Sequence, residues 1–243
     1  MLTAGVVRGC PPRGRRRLPF QLPNLRPRPC PPVVCPALSY RRPFRVGDQT
    51  GETVHAYGDE SFHEHPDAGF YVLSAAVFEP HALDHARAVL QDLQRHHPSR
   101  KIHWTAMDDE QRRHAAKQLA GVDGLHMVVI GTPVPPRRQE RARALCLARL
   151  VVELHGAGVD TLILEARHKV QDAGDVRTVA GVRHAALPRG TRFHVDHCPG
   201  THEVLLAAAD ITAGACRADR LGQAEYRDVL ADRIYDVCLD TGC

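Results

Sequence analysis

The chain has 243 residues, a formal net charge of +4 and 43% apolar residues, which suits a soluble protein of one large or two small domains. No apolar run approaches the ~18 residues of a membrane span, and prolines follow the charged N-terminus where a secretory signal would be apolar. Eight cysteines without a CxxC pair favour free thiols in a reducing compartment. These features predict a cytoplasmic protein with no membrane partner, and they leave the oligomeric state open.

The first 50 residues differ in composition from the rest of the chain. They hold ten of the eighteen prolines and ten arginines against one acid, whereas the remaining 193 residues carry a net charge of −5. Such a segment buries too little apolar surface to fold alone, so residues 1–50 are predicted to be a disordered tail and residues 51–243 a folded domain. Clustered arginines would suit a nucleic-acid tether, but without interleaved aromatics for base stacking a solvated tail or a misassigned start codon is favoured.

From residue 53 the sequence alternates between strand and helix patterns. TVHAYG at 53–58 predicts a first strand, and FYVLSAAVF at 70–78 predicts a second strand, buried on both faces and antiparallel to the first. Prolines, turn glycines and N-cap acids delimit the later elements. We predict helices over 80–95, 108–119, 136–155, 173–185, 202–217 and 221–237, and strands over 126–130, 161–165 and 192–196. Paired strands followed by βα alternation predict an α/β fold with a three-layer mixed β-sheet flanked by helices.

Three acidic residues lie at positions where a carboxylate requires a structural or functional explanation. Asp59 follows the first strand, Glu165 ends the apolar strand LILE at the edge where α/β proteins bind ligands, and Asp210 lies inside the small, apolar helix LLAAADITAGA. Each also has an ordinary structural explanation. Asp59 would be a turn residue, Glu165 a rim residue paired with Arg167 or Lys169, and Asp210 a core acid paired with an arginine. Together they form the arrangement that holds Mg²⁺ or Mn²⁺ for phosphodiester cleavage, because such ions need converging carboxylates.

Helix and strand geometry indicate which of these acids are the better candidates for metal ligands. Small residues including Gly214 share a helix face with Asp210, so this helix can approach the sheet closely. Side chains alternate along a strand, so Asp59 shares a face with Tyr57, and Glu60 points to the opposite side unless the chain turns there. Asp59 is therefore predicted as a metal ligand ahead of Glu60.

These motifs resemble the family called domain of unknown function 3800 over about residues 54–232. The matching stretches are YGDES at 57–61, KIHW at 101–104, LILEAR at 162–167 and LAAADITAGA at 206–215. The chain departs from the family pattern at Phe62, where a glycine is common. The resemblance implies a ribonuclease H-like fold, a nuclease activity, and functional acids at Asp59, Glu60, Glu165 and Asp210.

The mechanism predicted from these residues is two-metal hydrolysis of a nucleic acid. Asp59, Glu165 and Asp210 would hold the ions, and Glu60 or Asp196 would complete or support the shell. No base-reading motif is present, so the sequence does not choose between RNA and DNA.

Four basic residues are candidates for substrate contacts. Arg167 and Lys169 follow the strand that carries Glu165 and would contact phosphate. Lys101 or His103 would lie near a phosphate with Trp104 as a stacking surface. For the KIHW motif the alternative is a core tryptophan beside a satisfied histidine, which is favoured because Trp is highly buried on average.

Two other functions stay open at this level. One is a non-catalytic ribonuclease H-like module that binds nucleic acid or protein in a defence or mobile-element system, with Asp210 paired to an arginine. The other is a zinc protein built from HEH at 63–65 and from His194, His197 and Cys198. Strand alternation disfavours the zinc set, because it separates neighbouring residues onto opposite faces.

Overall fold

The structure of the protein, a computed structural model, describes residues 54–95 and 101–243. The described residues form six strands and six α-helices. The strands are β1 His55–His63, β2 Phe70–Phe78, β3 Gly124–Thr132, β4 Thr161–Glu165, β5 His194–Cys198 and β6 Ile234–Asp240. The helices are α1 Leu83–Arg95, α2 Asp109–Ala120, α3 Gln139–Gly156, α4 Lys169–Ala185, α5 Leu206–Arg220 and α6 Glu225–Val229.

The strands form one mixed sheet in the order β5-β4-β1-β2-β3-β6. β2 is antiparallel to β1 and to β3, whereas the other neighbouring pairs are parallel. Within the order β3-β2-β1-β4-β5, β2 alone runs against the other strands. The predicted three-layer mixed sheet is confirmed.

Helices cover both faces of the sheet. Side chains from α1, α2, α5 and α6 pack against one face, which we call the α5 face. Side chains from α3 and α4 pack against the other, which we call the α3/α4 face. β2 is buried along its whole length and contributes to both cores, as its continuous apolar sequence predicts.

Small residues let α5 lie directly on the sheet. Most of the helix is buried, and its alanines fill the space over β1 and β2. The hydroxyl of Ser74 in β2 donates a 2.7 Å hydrogen bond to the carbonyl oxygen of Ala209. Asp210 is thereby held at a fixed distance from the sheet, as the small-residue pattern predicts.

The last predicted helix is wrong in its second half. Residues 221–237 contain the short helix α6, but from Ile234 the chain is extended and pairs with β3 as an edge strand. This strand is only partly buried, so its sequence IYDVCLD lacks the strong apolar signal of a central strand. The pairing partner β3 lies about a hundred residues earlier, so the local periodicity of the sequence cannot reveal this pairing.

β1 is longer than predicted and continues to His63, because β2 pairs with it over residues 56–63. Asp59 and Glu60 therefore lie within a strand and are not turn residues. Residues 1–53, which include the predicted tail, lie outside the described part of the chain. Within that part, none of the helices has the length and apolar character that a membrane crossing requires.

Candidate metal centre

Parallel pairing of β1 and β4 places two of the predicted acids side by side. Gly58 is level with Leu164, so the next residues, Asp59 and Glu165, follow at the same edge of the sheet. Asp59 shares a face with Tyr57, whose side chain packs in the core of the α5 face, as strand alternation predicts. Both acids therefore face α5.

The third acid comes from α5 itself. Asp210 accepts a 2.8 Å hydrogen bond from the backbone N–H of Trp104, in the short helical turn Trp104–Ala106. The Trp104 ring is buried against Gly214, one turn along α5, where an added Cβ would overlap the ring. Trp104 is thus a core residue, and Gly214 permits the close contact that brings its N–H to Asp210.

Asp59, Glu165 and Asp210 line one cleft of about 280 Å³. The structure thus brings the three predicted acids together at one site. The other residues that line the cleft are Glu60, Ser61, Lys101, His103, Trp104, Thr105, Ala166, Arg167 and Gly214.

The electrostatics of the cleft penalise negative charge on Asp59. Burial raises the pKa of Asp59 well above its usual range, and the neighbouring carboxylates of Asp210, Glu60 and Glu165 raise it further. Its carboxylate accepts a 2.8 Å hydrogen bond from the backbone N–H of Glu60. The chain thus holds a carboxylate that no described side chain neutralises.

Asp210 is in a similar position. Burial raises the pKa of Asp210 and Glu165 adds to that rise, while the hydrogen bond from Trp104 and the positive charges of His103 and Lys101 act in the opposite direction. Among the described residues neither Asp59 nor Asp210 forms an ion pair. Two carboxylates that repel each other and lack an ion-pair partner are the donor set that a divalent cation would stabilise.

Glu165 differs because it already has a cation. The ammonium group of Lys101 contacts both carboxylate oxygens of Glu165. Lys101 therefore lines the cleft and is paired with an acid, and its predicted contact with a phosphate stays a prediction.

Glu60 points to the α3/α4 face. Its carboxylate forms a 2.6 Å ion pair with Arg143 and lies 3.8 Å from Nε of Arg167. Glu60 is thus neutralised by buried cations on the other side of the sheet, and its predicted support of the metal shell stays a prediction. Arg167 likewise pairs with Glu140 at 2.8 Å, although it also lines the cleft.

The remaining predicted residues lie at the surface. His103 is exposed and lines the cleft. Asp196 is exposed on β5 and Lys169 is exposed at the first residue of α4, and neither is among the residues that line the cleft. The structure therefore places His103 at the site and Asp196 and Lys169 away from it.

A second group of possible ligands lies on the α3/α4 face. Potential ligand atoms of Asp172, Asp175 and His197 all lie within 4.8 Å of one another. Although burial tends to raise the pKa of Asp175, hydrogen bonds from His197 and Arg143 hold it well below its usual range. Sequence analysis did not single out Asp172 or Asp175, because two acids in a helix pattern carry no signal of their own, and it assigned His197 to a zinc set.

The predicted zinc ligands are not brought together. His197 lies 3.2 Å from Asp175 on the α3/α4 face, whereas the neighbouring Cys198 packs against the core of the α5 face. His65 lies in a turn after β1, where its Nδ1 accepts backbone hydrogen bonds from Asp67 and Ala68. Adjacent strand residues on opposite faces cannot share one tetrahedral ion.

No family model and no curated protein matches the chain, so the resemblance to domain of unknown function 3800 stays a prediction. One solved structure similar to the chain is the complex of PCNA with ribonuclease HII from Archaeoglobus fulgidus. The identity is 16%, the match covers 72% of this chain and 77% of that chain, and the TM-score is 0.46.

Proposed function

We propose that this protein is a divalent-metal-dependent nuclease whose Mg²⁺ or Mn²⁺ is held by Asp59 and Asp210. The observation that carries the proposal is that these two carboxylates face one cleft without an ion-pair partner among the described residues. Their mutual repulsion destabilises the metal-free site, and a bound cation would offset it. Carboxylate oxygens are the donors that Mg²⁺ and Mn²⁺ prefer.

The chain's own residues suit hydrolysis of a phosphodiester. A divalent ion bound there supplies an activated water and stabilises negative charge on the phosphate oxygens. The Trp104 backbone N–H fixes one oxygen of Asp210 and so orients this carboxylate. Lys101 adds positive charge beside the acids, where an anionic substrate would approach.

The substrate of this proposal is a nucleic acid. The sequence carries no base-reading motif, so recognition through the phosphate backbone applies to RNA and DNA alike. Membership of the family called domain of unknown function 3800, with Asp59, Glu165 and Asp210 as its acids, is part of the same proposal.

The test uses Asp59→Asn and Asp210→Asn with Asp196→Asn as the matched control, since Asp196 is exposed and lies outside the cleft. Purified full-length chains are incubated with labelled single-stranded and duplex RNA and DNA in Mn²⁺ or Mg²⁺. We expect both cleft variants to lose at least about 100-fold in cleavage rate, since even outer-shell partners of a metal are worth up to that factor. The control should cleave like the wild type.

Folding is checked by circular dichroism and thermal unfolding, and both cleft variants should keep the native fold. Unchanged cleavage in both Asp59→Asn and Asp210→Asn would refute the assignment. Binding of nucleic acid without cleavage by the wild type in either metal would instead support the non-catalytic module.

A further inference from the structure

The ion pair between Lys101 and Glu165 is an ordered, largely buried part of the site. Both carboxylate oxygens of Glu165 meet the Lys101 ammonium, and the two side chains are only 15% and 21% exposed. Removing one partner from an ion pair shielded from water leaves an uncompensated buried charge, which costs more than breaking a surface pair. The Lys101–Glu165 pair differs from a chance contact between two flexible side chains.

The loop after β5 packs closely against the Lys101–Glu165 ion pair. A Cβ added to Gly200 would lie 2.5 Å from Cε of Lys101 and 3.0 Å from Oε1 of Glu165. The backbone at Gly200 therefore packs directly on the lysine stem and the carboxylate, and a larger residue would displace them. The lysine is held against Glu165 by packing as well as by charge.

Charge balance in the cleft then limits how many ions fit. Asp59, Glu165 and Asp210 carry three negative charges when ionised, and the Lys101 ammonium removes one. One divalent ion would bring this set to neutrality, whereas two would leave it with a net charge of +2. A neutral set is the favourable one in a partly buried site.

We propose that the centre binds a single divalent ion through Asp59 and Asp210, and that the Lys101 ammonium occupies the position of a second cation at Glu165. The inference rests on the proposed function and replaces the two-metal mechanism predicted from the sequence with one ion and one lysine. Lys101 is thereby a residue that sets the metal stoichiometry. Glu165 acts by holding the ammonium beside the metal site and not as a metal ligand.

Mn²⁺ binding by the full-length chain tests this directly. Calorimetric titration counts the ions, and electron paramagnetic resonance detects whether two ions lie close enough to couple. We expect one uncoupled Mn²⁺ per wild-type chain. Lys101→Met, which keeps the bulk of the stem and removes the charge, should bind two coupled ions because Glu165 is released as a ligand.

Two controls accompany this variant. Lys169→Met removes an exposed lysine outside the cleft and should bind one ion. Lys101→Arg keeps the positive charge and should also bind one. Circular dichroism confirms folding of each variant, and the count for the wild type decides the main point even if Lys101→Met does not fold.

Each outcome has a separate meaning. Two coupled ions in the wild type would overturn this inference and leave the proposed nuclease standing. One ion in both the wild type and a folded Lys101→Met would overturn the role of Lys101. No ion in the wild type, together with no cleavage, would overturn the proposed function on which the inference rests.

Discussion

Asp59 and Glu60 are adjacent acids in one strand, yet they lie in opposite electrostatic environments. Asp59 faces α5, where burial raises its pKa and the negative charges of Asp210 and Glu165 raise it further. Glu60 faces α3 and α4, where it forms a 2.6 Å ion pair with Arg143. The α3/α4 face therefore neutralises its carboxylates with the protein's own cations, and the α5 face leaves two of them unpaired among the described residues.

This difference separates structural acids from candidate functional ones. Arg143 is 1% exposed and also binds Asp175 through two nitrogens, at 2.8 and 3.0 Å, and the Tyr71 hydroxyl at 3.1 Å. Such a satisfied network stabilises one arrangement of the chain and leaves little capacity for a ligand. Unpaired carboxylates cost stability, and the divalent cation of the proposed function would offset that cost.

The largest expected effect comes from breaking the network on the α3/α4 face. Arg143→Met leaves Glu60 and Asp175 without their main cation, and removal of one partner from a buried pair costs about 3–5 kcal/mol. The free energy of unfolding from urea denaturation measures this loss.

Arg149→Met is the matched control, because Arg149 lies in the same helix and forms an i,i+4 pair with Glu153 nearer the surface. We expect a loss below about 1 kcal/mol there. Similar losses in the two variants would contradict the structural role assigned to the α3/α4 network.

Alanine substitutions at two helix glycines compare the packing on the two faces of the sheet. Gly214 in α5 contacts the Trp104 ring, whereas Gly181 in α4 has open space at its Cβ position. Gly214→Ala should destabilise by about 1–3 kcal/mol through overpacking, and Gly181→Ala should stabilise by up to ~1 kcal/mol through helix propensity. Fluorescence of Trp104, the single tryptophan of the chain, should shift in Gly214→Ala alone. Equal effects in the two variants would show that α5 does not need its close approach.

The smallest expected effect is a difference in pH dependence. The folded pKa of Asp59 is raised, so the metal-free protein binds more protons than the unfolded chain above about pH 3.9 and loses stability as pH rises. The Asp59→Asn variant has no carboxylate to ionise at this position and so does not lose this stability. The free energy of unfolding of the variant relative to the wild type should therefore increase with pH, by less than ~1.4 kcal/mol per pH unit. Urea denaturation across pH measures the difference, and saturating Mn²⁺ should reduce it.

Asp175 should show the opposite sign. Its pKa is lowered in the folded protein, so its stabilising contribution is present above about pH 3.9 and is lost as pH falls below that value. The stability advantage of the wild type over Asp175→Asn should therefore shrink in acid. The same sign for Asp59 and Asp175 would remove the contrast between the faces.

Strong local patterns predicted much of the fold and the choice of acids. The continuous apolar run at 70–78 fixes β2 as a strand buried on both faces, because a strand covered by helices on each side needs apolar residues throughout. Side-chain alternation in β1 separated Asp59 from Glu60 before any tertiary contact was known. The alanine-rich helix marked Asp210, since an acid among buried small residues lies close to the sheet.

Only the tertiary structure decided which acids have partners. Arg143 meets Glu60 from a helix some eighty residues later, and Lys101 meets Glu165 across the cleft. Edge strand β6 is likewise defined by pairing with the distant β3. A sequence determines through local periodicity which face a side chain takes, but charge compensation depends on contacts between remote segments. The sequence therefore identified the acids, and the fold determined that Asp59 and Asp210 are the two without an ion-pair partner among the described residues.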